Sequence, residues 1–165
     1  VVLGVVKQGT VKVYDQLRIM PAGSDIVVKS IQMHDDPVHE SNSPARVGLA
    51  VKGMTAEQIS RGDVLCLPNS YYMKTIPAAA ATTTTISTTK FVKNSFYKGD
   101  LVENQTYMIS VGLQIKSVRL KLINGTAVEK IIPESKPIVF FPGQTYVLLK
   151  PDSQGTRIIG KGIFE

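Results

Sequence analysis

Apolar side chains in this chain fall at alternate positions or in short runs, and no long stretch repeats at the three-and-four spacing of a helix. A period of two puts one face of an extended segment in a core and the other in water. It predicts strands over Val1–Val6, Gln16–Ile19, Ile26–Met33, Arg46–Val51 and Val64–Leu67. Further strands are expected over Thr106–Ile115, Ser117–Ile123, Ile138–Phe141, Thr145–Leu149 and Arg157–Ile163. Turn-forming residues separate them: Gly9, Pro21-Ala22-Gly23, Asp35-Asp36-Pro37, Ser43-Pro44, Lys98-Gly99-Asp100, Asn124-Gly125, Pro142-Gly143 and Pro151–Gly155. A single helical turn is expected at Thr55–Ile59, with Thr55 as its cap. Many short strands between turns mean an all-β protein, here two consecutive small β-barrels.

At Pro77 the composition changes to Ala78-Ala79-Ala80-Ala81-Thr82-Thr83-Thr84-Thr85-Ile86-Ser87-Thr88-Thr89. A linker is one reading of this run, and a threonine-rich strand is the other. The division is expected near Asn69–Pro77, giving modules 1–73 and 74–165 with a strand after the boundary. The chain opens on Val1 inside an apolar run, so it reads as part of something longer with its first strand cut short.

Charge changes the picture modestly. Nineteen basic residues against thirteen acidic give +6 and a pI near 9.4, a balance that suits a polyanion such as RNA and equally a solvated basic surface. No run of about 18 apolar residues is present to span a membrane. Cys66 is the single cysteine, which excludes an internal disulfide and fits a cytoplasmic setting. Within Val64-Leu65-Cys66-Leu67 it reads as a small buried thiol rather than a nucleophile.

Two stretches are specific enough to carry a resemblance. The first runs Gly9-Thr10-Val11-Lys12-Val13-Tyr14-Asp15-Gln16-Leu17-Arg18-Ile19-Met20-Pro21, then Val28-Lys29-Ser30-Ile31-Gln32. It ends with Arg46-Val47-Gly48-Leu49-Ala50-Val51-Lys52-Gly53 and Ile59-Ser60-Arg61-Gly62-Asp63-Val64-Leu65. The second is Pro151-Asp152-Ser153-Gln154-Gly155-Thr156-Arg157-Ile158-Ile159-Gly160-Lys161-Gly162-Ile163-Phe164. Together they resemble the second and third domains of translational GTPases of the elongation factor Tu superfamily. The proline–glutamine–phenylalanine segment of the bacterial factor is missing, and Tyr107–Ser117 stands in its place. That departure points to specialised relatives: selenocysteine-specific or pyrrolysine-associated elongation factors and archaeal paralogues.

The resemblance implies a part of a GTPase rather than an enzyme. The chain has neither a glycine-rich phosphate loop ending in Lys and Ser or Thr nor an asparagine–lysine–x–aspartate motif. GTP and magnesium are therefore expected only with a separate G domain. The implied partners are aminoacyl-tRNA, the ribosome and that G domain, with no membrane. In the first barrel the family arginine beside the tRNA 3′ end falls on Arg61. The acidic residue three positions earlier falls on Gln58, which keeps a carbonyl acceptor but no charge. Glu57 is adjacent and substitutes only if the helical turn rotates. Arg61 equally suits a salt bridge bracing its own strand. In the second barrel, contacts to the tRNA backbone are expected from Lys116, Arg119, Arg157 and Lys161, with Lys121 reading as a solvated strand charge.

Other features suggest less. His34-Asp35-Asp36-Pro37-Val38-His39-Glu40 contains metal-ligating residue types, but its centre is turn chemistry. The glycosylation acceptor patterns at Asn104 and Asn124 lack a secretory signal. The rival reading in another class is a β-barrel scaffold that binds a translation factor or ribosomal partner without handling tRNA.

Overall fold

The computed structural model describes residues 1–70, 72–78, 88–125 and 127–165, with 88–90 as backbone alone. Among the described residues the fold is carried by strands β1 (Val2–Val6), β2 (Thr10–Lys12), β3 (Gln16–Met20), β4 (Ser24–Met33), β5 (Asp36–Val38), β6 (Glu40–Asn42), β7 (Ala45–Lys52) and β8 (Val64–Cys66). After these come β9 (Lys74–Ile76), β10 (Thr88–Lys93), β11 (Thr106–Val111), β12 (Gln114–Ile123), β13 (Ala127–Pro133), β14 (Ile138–Phe140), β15 (Thr145–Leu149) and β16 (Ile158–Phe164). Among the described residues one 3-10 turn, Ala56–Gln58, is the helical element. The protein is all-β, and its strands divide between two compact units, Val1–Ser70 and Tyr71–Glu165.

The first unit is an antiparallel sheet in the order β1-β7-β4-β3-β8, with β5 pairing β4 and a separate β2–β6 ladder. Alternation decides which side chains turn inward. Leu17 and Ile19 on β3 are buried, as are Ile26, Val28 and Ile31 on β4, and Val47 and Leu49 on β7. Each such side chain contributes about 1.5–3 kcal/mol when fully removed from water. The ladder between β4 and β7 slips at Lys29, a bulge that curls the sheet.

The second unit has the order β10-β16-β15-β11-β12-β13 and a β9–β14 ladder. Its core adds large rings to the aliphatic set, with Tyr107, Tyr146, Phe140 and Phe164 fully buried. Phe164 lies 4.4 Å from the Phe140 ring and 4.8 Å from Tyr146, centroid to centroid. Rings of this size need room, and β16 provides it with two glycines. A Cβ on Gly162 would overlap the Tyr146 ring, and one on Gly160 would overlap the Val92 carbonyl and the Phe91 ring. The buried Gln114 amide bonds both backbone groups of Val139. Its Nε2 donates to the carbonyl at 2.6 Å, and its Oε1 accepts from the N–H at 3.0 Å.

Several local expectations change. The strand expected over Thr106–Ile115 breaks at Gly112, whose φ of +57° turns the chain so that β12 begins at Gln114. Asp36 and Pro37 belong to β5, and the turn sits one step earlier on His34 and Asp35, both left-handed at φ 53° and 69°. Proline is tolerated there because β5 pairs only with β4 and lies on an edge. Of the alanine–threonine run, residues 79–87 lie outside the described residues, while Thr88 and Thr89 open β10.

Candidate functional site

The segment from Thr55 to Asp63 is built by local hydrogen bonds. Thr55 caps the 3-10 turn, and its N–H donates to Gln58 Oε1 at 2.9 Å. The Thr55 hydroxyl lies 3.4 Å from the same oxygen. The Gln58 carbonyl that sequence offers as a ribose acceptor is therefore already engaged by Thr55, and the side chain as a whole is exposed. Glu57 is held below the usual carboxylate range, first by its own backbone N–H and then by the Thr55 side chain. Both residues serve the turn before anything beyond it.

Arg61 stands at the tip of the next turn. The Ser60 N–H donates to Asp63 Oδ2 at 2.8 Å, and the Asp63 N–H donates to the Ser60 carbonyl at 3.1 Å. Gly62, at φ +92°, supplies the left-handed residue that closes it. Because the Asp63 carboxylate caps the backbone, it does not neutralise the neighbouring guanidinium. Among the described residues Arg61 makes no ion pair or side-chain hydrogen bond, so the strand-bracing salt bridge has no partner there. Arg61 is exposed.

The basic residues of the second unit do not form one row. Lys116 pairs with the buried Ile109 and shares the inward face of β12 with Gln114 and Val118, where it is half-buried. Arg119 and Lys121 lie on the opposite, outward face. Arg119 Nε donates to Glu134 Oε1 at 2.8 Å, and the same oxygen accepts from the Thr106 hydroxyl at 3.0 Å. These bonds hold the Glu134 carboxyl below its ordinary range, the Arg119 bond first. Lys121 sits 3.4 Å from Glu129. Lys161 and Arg157 are exposed and carry no ion pair among the described residues.

Cys66 is half-buried, with its thiol pushed up by burial and only partly offset by Arg18. Such a thiol is a weak nucleophile. Among the described residues no cluster of three His, Cys, Asp or Glu is arranged to hold a metal. No described helix is long and apolar enough to cross a membrane.

Residues 1–66 match the family model "Elongation factor Tu domain 2". The chain is 32% identical over 162 residues to an uncharacterized protein of Methanocaldococcus jannaschii, covering 98% of this chain and 48% of that protein. A selenocysteine-specific elongation factor of the same organism is 40% identical over 65 residues, 39% of this chain and 14% of that factor. The crystal structure of the translation elongation factor SelB from Methanococcus maripaludis, in its apo form, superposes over 99% of this chain and 39% of its own, with a TM-score of 0.76 at 23% identity. The chain thus spans about half or less of the length of the proteins it matches.

Proposed function

We propose that this chain, which belongs to the elongation factor Tu superfamily of translation factors, is the non-catalytic tRNA-holding part of a GTPase that delivers aminoacyl-tRNA to the ribosome in the cytoplasm. GTP and magnesium belong to a G domain elsewhere in the parent protein, and that domain is the third partner beside tRNA and ribosome. Arg61 holds the aminoacylated 3′ end through its planar fork of donors. Gln58 contributes a donor from its amide, since its carbonyl caps the 3-10 turn. Arg157 and Lys161 meet backbone phosphates, whereas Arg119 and Lys121 are balanced by Glu134 and Glu129.

The observation that carries this reading is the guanidinium left free because Asp63 caps its own turn. In the whole factor, Arg61→Ala should weaken aminoacyl-tRNA binding by about 1.5–3 kcal/mol, the cost of losing a charged hydrogen bond. Thermal unfolding of the 165-residue chain should stay unchanged. Lost stability without a separate loss of affinity would return Arg61 to a structural role and remove the pocket with it.

A further inference from the structure

Two departures from regular backbone in the first unit meet at one surface spot. In the turn Lys12–Asp15, the Asp15 N–H donates to the Lys12 carbonyl at 3.2 Å, and the Lys12 N–H donates to the Asp15 carboxylate at 2.8 Å. Tyr14 occupies its third position with φ +73°. Turns with positive φ there take glycine, because a Cβ crowds the backbone. A tyrosine held in that conformation costs stability; its N–H donates to the Val28 carbonyl at 2.8 Å, a bond that fixes the backbone but does not call for the phenol ring. The second departure is the β4 bulge: Val28 pairs with Val51 and Ser30 with Ala50, so Lys29 is the extra residue. Bulges re-aim a side chain, and this one places the Lys29 ammonium 5.9 Å from the centroid of the Tyr14 ring.

Neither side chain serves the core. Tyr14 is 73% exposed, and Lys29 is exposed without an ion pair among the described residues. Nearby Lys12, in contrast, is matched by Glu40 at 3.1 Å. An exposed ring in a glycine conformation beside a free cation suits a ligand with a flat π-face and a negative charge one step away. We propose that Tyr14 and Lys29 form a binding site for an unpaired RNA base, the ring stacking on the base and the ammonium meeting its phosphate. The inference rests on the translation-factor reading for its class of ligand. The site is separate from Arg61: Tyr14 leads into the Gln16 end of β3, while Arg61 leads into β8, whose Val64 pairs with Met20 at the other end.

The test titrates a labelled, unstructured single-stranded RNA of about ten nucleotides, within the length range such sites cover, into the 165-residue chain. Tyr14→Gly and Lys29→Ala should each weaken binding about fivefold or more, as expected for loss of one stacked base. Tyr14→Phe should keep wild-type affinity, and duplex RNA should compete poorly. The melting temperature of Tyr14→Gly should be no lower than wild type, since glycine relieves the left-handed residue. The Tyr14 and Lys29 variants are read by single-stranded RNA binding, whereas the Arg61 reading is tested by aminoacyl-tRNA binding in the whole factor, so the two readings fail separately. Wild-type affinity in Tyr14→Gly, equal preference for duplex, or no binding of single-stranded RNA by the wild-type chain would each overturn the proposal.

Discussion

Residues 1–70 carry seven basic and seven acidic side chains, whereas residues 71–165 carry twelve and six, so the second unit holds the whole net charge of +6. The cores differ as well. The buried cluster of the first unit is wholly aliphatic, while that of the second is built round tyrosines and phenylalanines. Among the described residues the balanced unit nevertheless leaves five cations without an ion pair, Lys7, Lys29, Arg46, Lys52 and Arg61, since Glu40 and Asp25 take Lys12 and Arg18 and the Asp63 beside Arg61 is committed to its own turn. In the charged unit, Glu134 and Glu129 neutralise two of the strand cations. Net charge is therefore a poor guide to a phosphate contact. What counts is which cation keeps no local acid.

The contrast between the cores can be broken most sharply at Phe164. Phe164→Ala removes a fully buried ring packed on two others and should cost the second unit about 3–5 kcal/mol. Hydrogen exchange read on peptides from each unit should accelerate in β11, β15 and β16 and stay unchanged in β3, β4 and β7. Equal acceleration in both would show that the units do not unfold independently. The contrast in charge is sharpened by salt. In RNA binding by the chain, Lys161→Ala and Arg157→Ala should each reduce the slope of log affinity against log salt by about 0.7–0.9, the value of one phosphate contact. Arg119→Ala should leave that slope unchanged, since Glu134 already balances it. The smallest effect concerns that same pair. Glu134 has a lowered folded-state pKa, so its contribution is present above the unfolded value near 4.5 and is lost as pH falls through the folded one. Melting temperatures of wild type and Glu134→Gln should thus differ near neutrality and converge on acidification below pH 4.5. A gap that persists in acid would assign the difference to packing.

Sequence made the all-β class and the well-alternating strands legible, because Gln16–Met20 and Thr145–Leu149 show their buried faces at a period of two. It hid β13, where Glu129 and Lys130 interrupt the apolar pattern and the ladder to β12 slips between Lys121 and Leu122. The turn around Arg61 was legible because it is local: a glycine and an aspartate within three residues define it. The engagement of the Gln58 carbonyl was not, since a side chain chooses between cap and ligand only once the backbone is placed. Lys116 is placed by parity, three residues from Arg119 and hence on the other face of the same strand. Tyr14 gave no signal at all. It falls between the strands expected over Val1–Val6 and Gln16–Ile19, and its left-handed backbone emerges only from the turn that Asp15 caps.

The Gln114 amide has a consequence for how β14 is completed on its second edge. A buried strand paired on one side only must find partners for its remaining N–H and C=O groups, since an unpaired backbone group away from water is costly. β14 pairs with β9 on one side, and on the other Gln114 fills both groups of Val139. A primary amide offers a donor and an acceptor on the same side, so it stands in for the N–H and C=O of one residue of an added strand. A carboxylate at this position would repel the Val139 carbonyl, and an aliphatic chain would leave both groups open. One side chain thus works as a one-residue strand, satisfying the second edge of a fully buried strand without lengthening the chain.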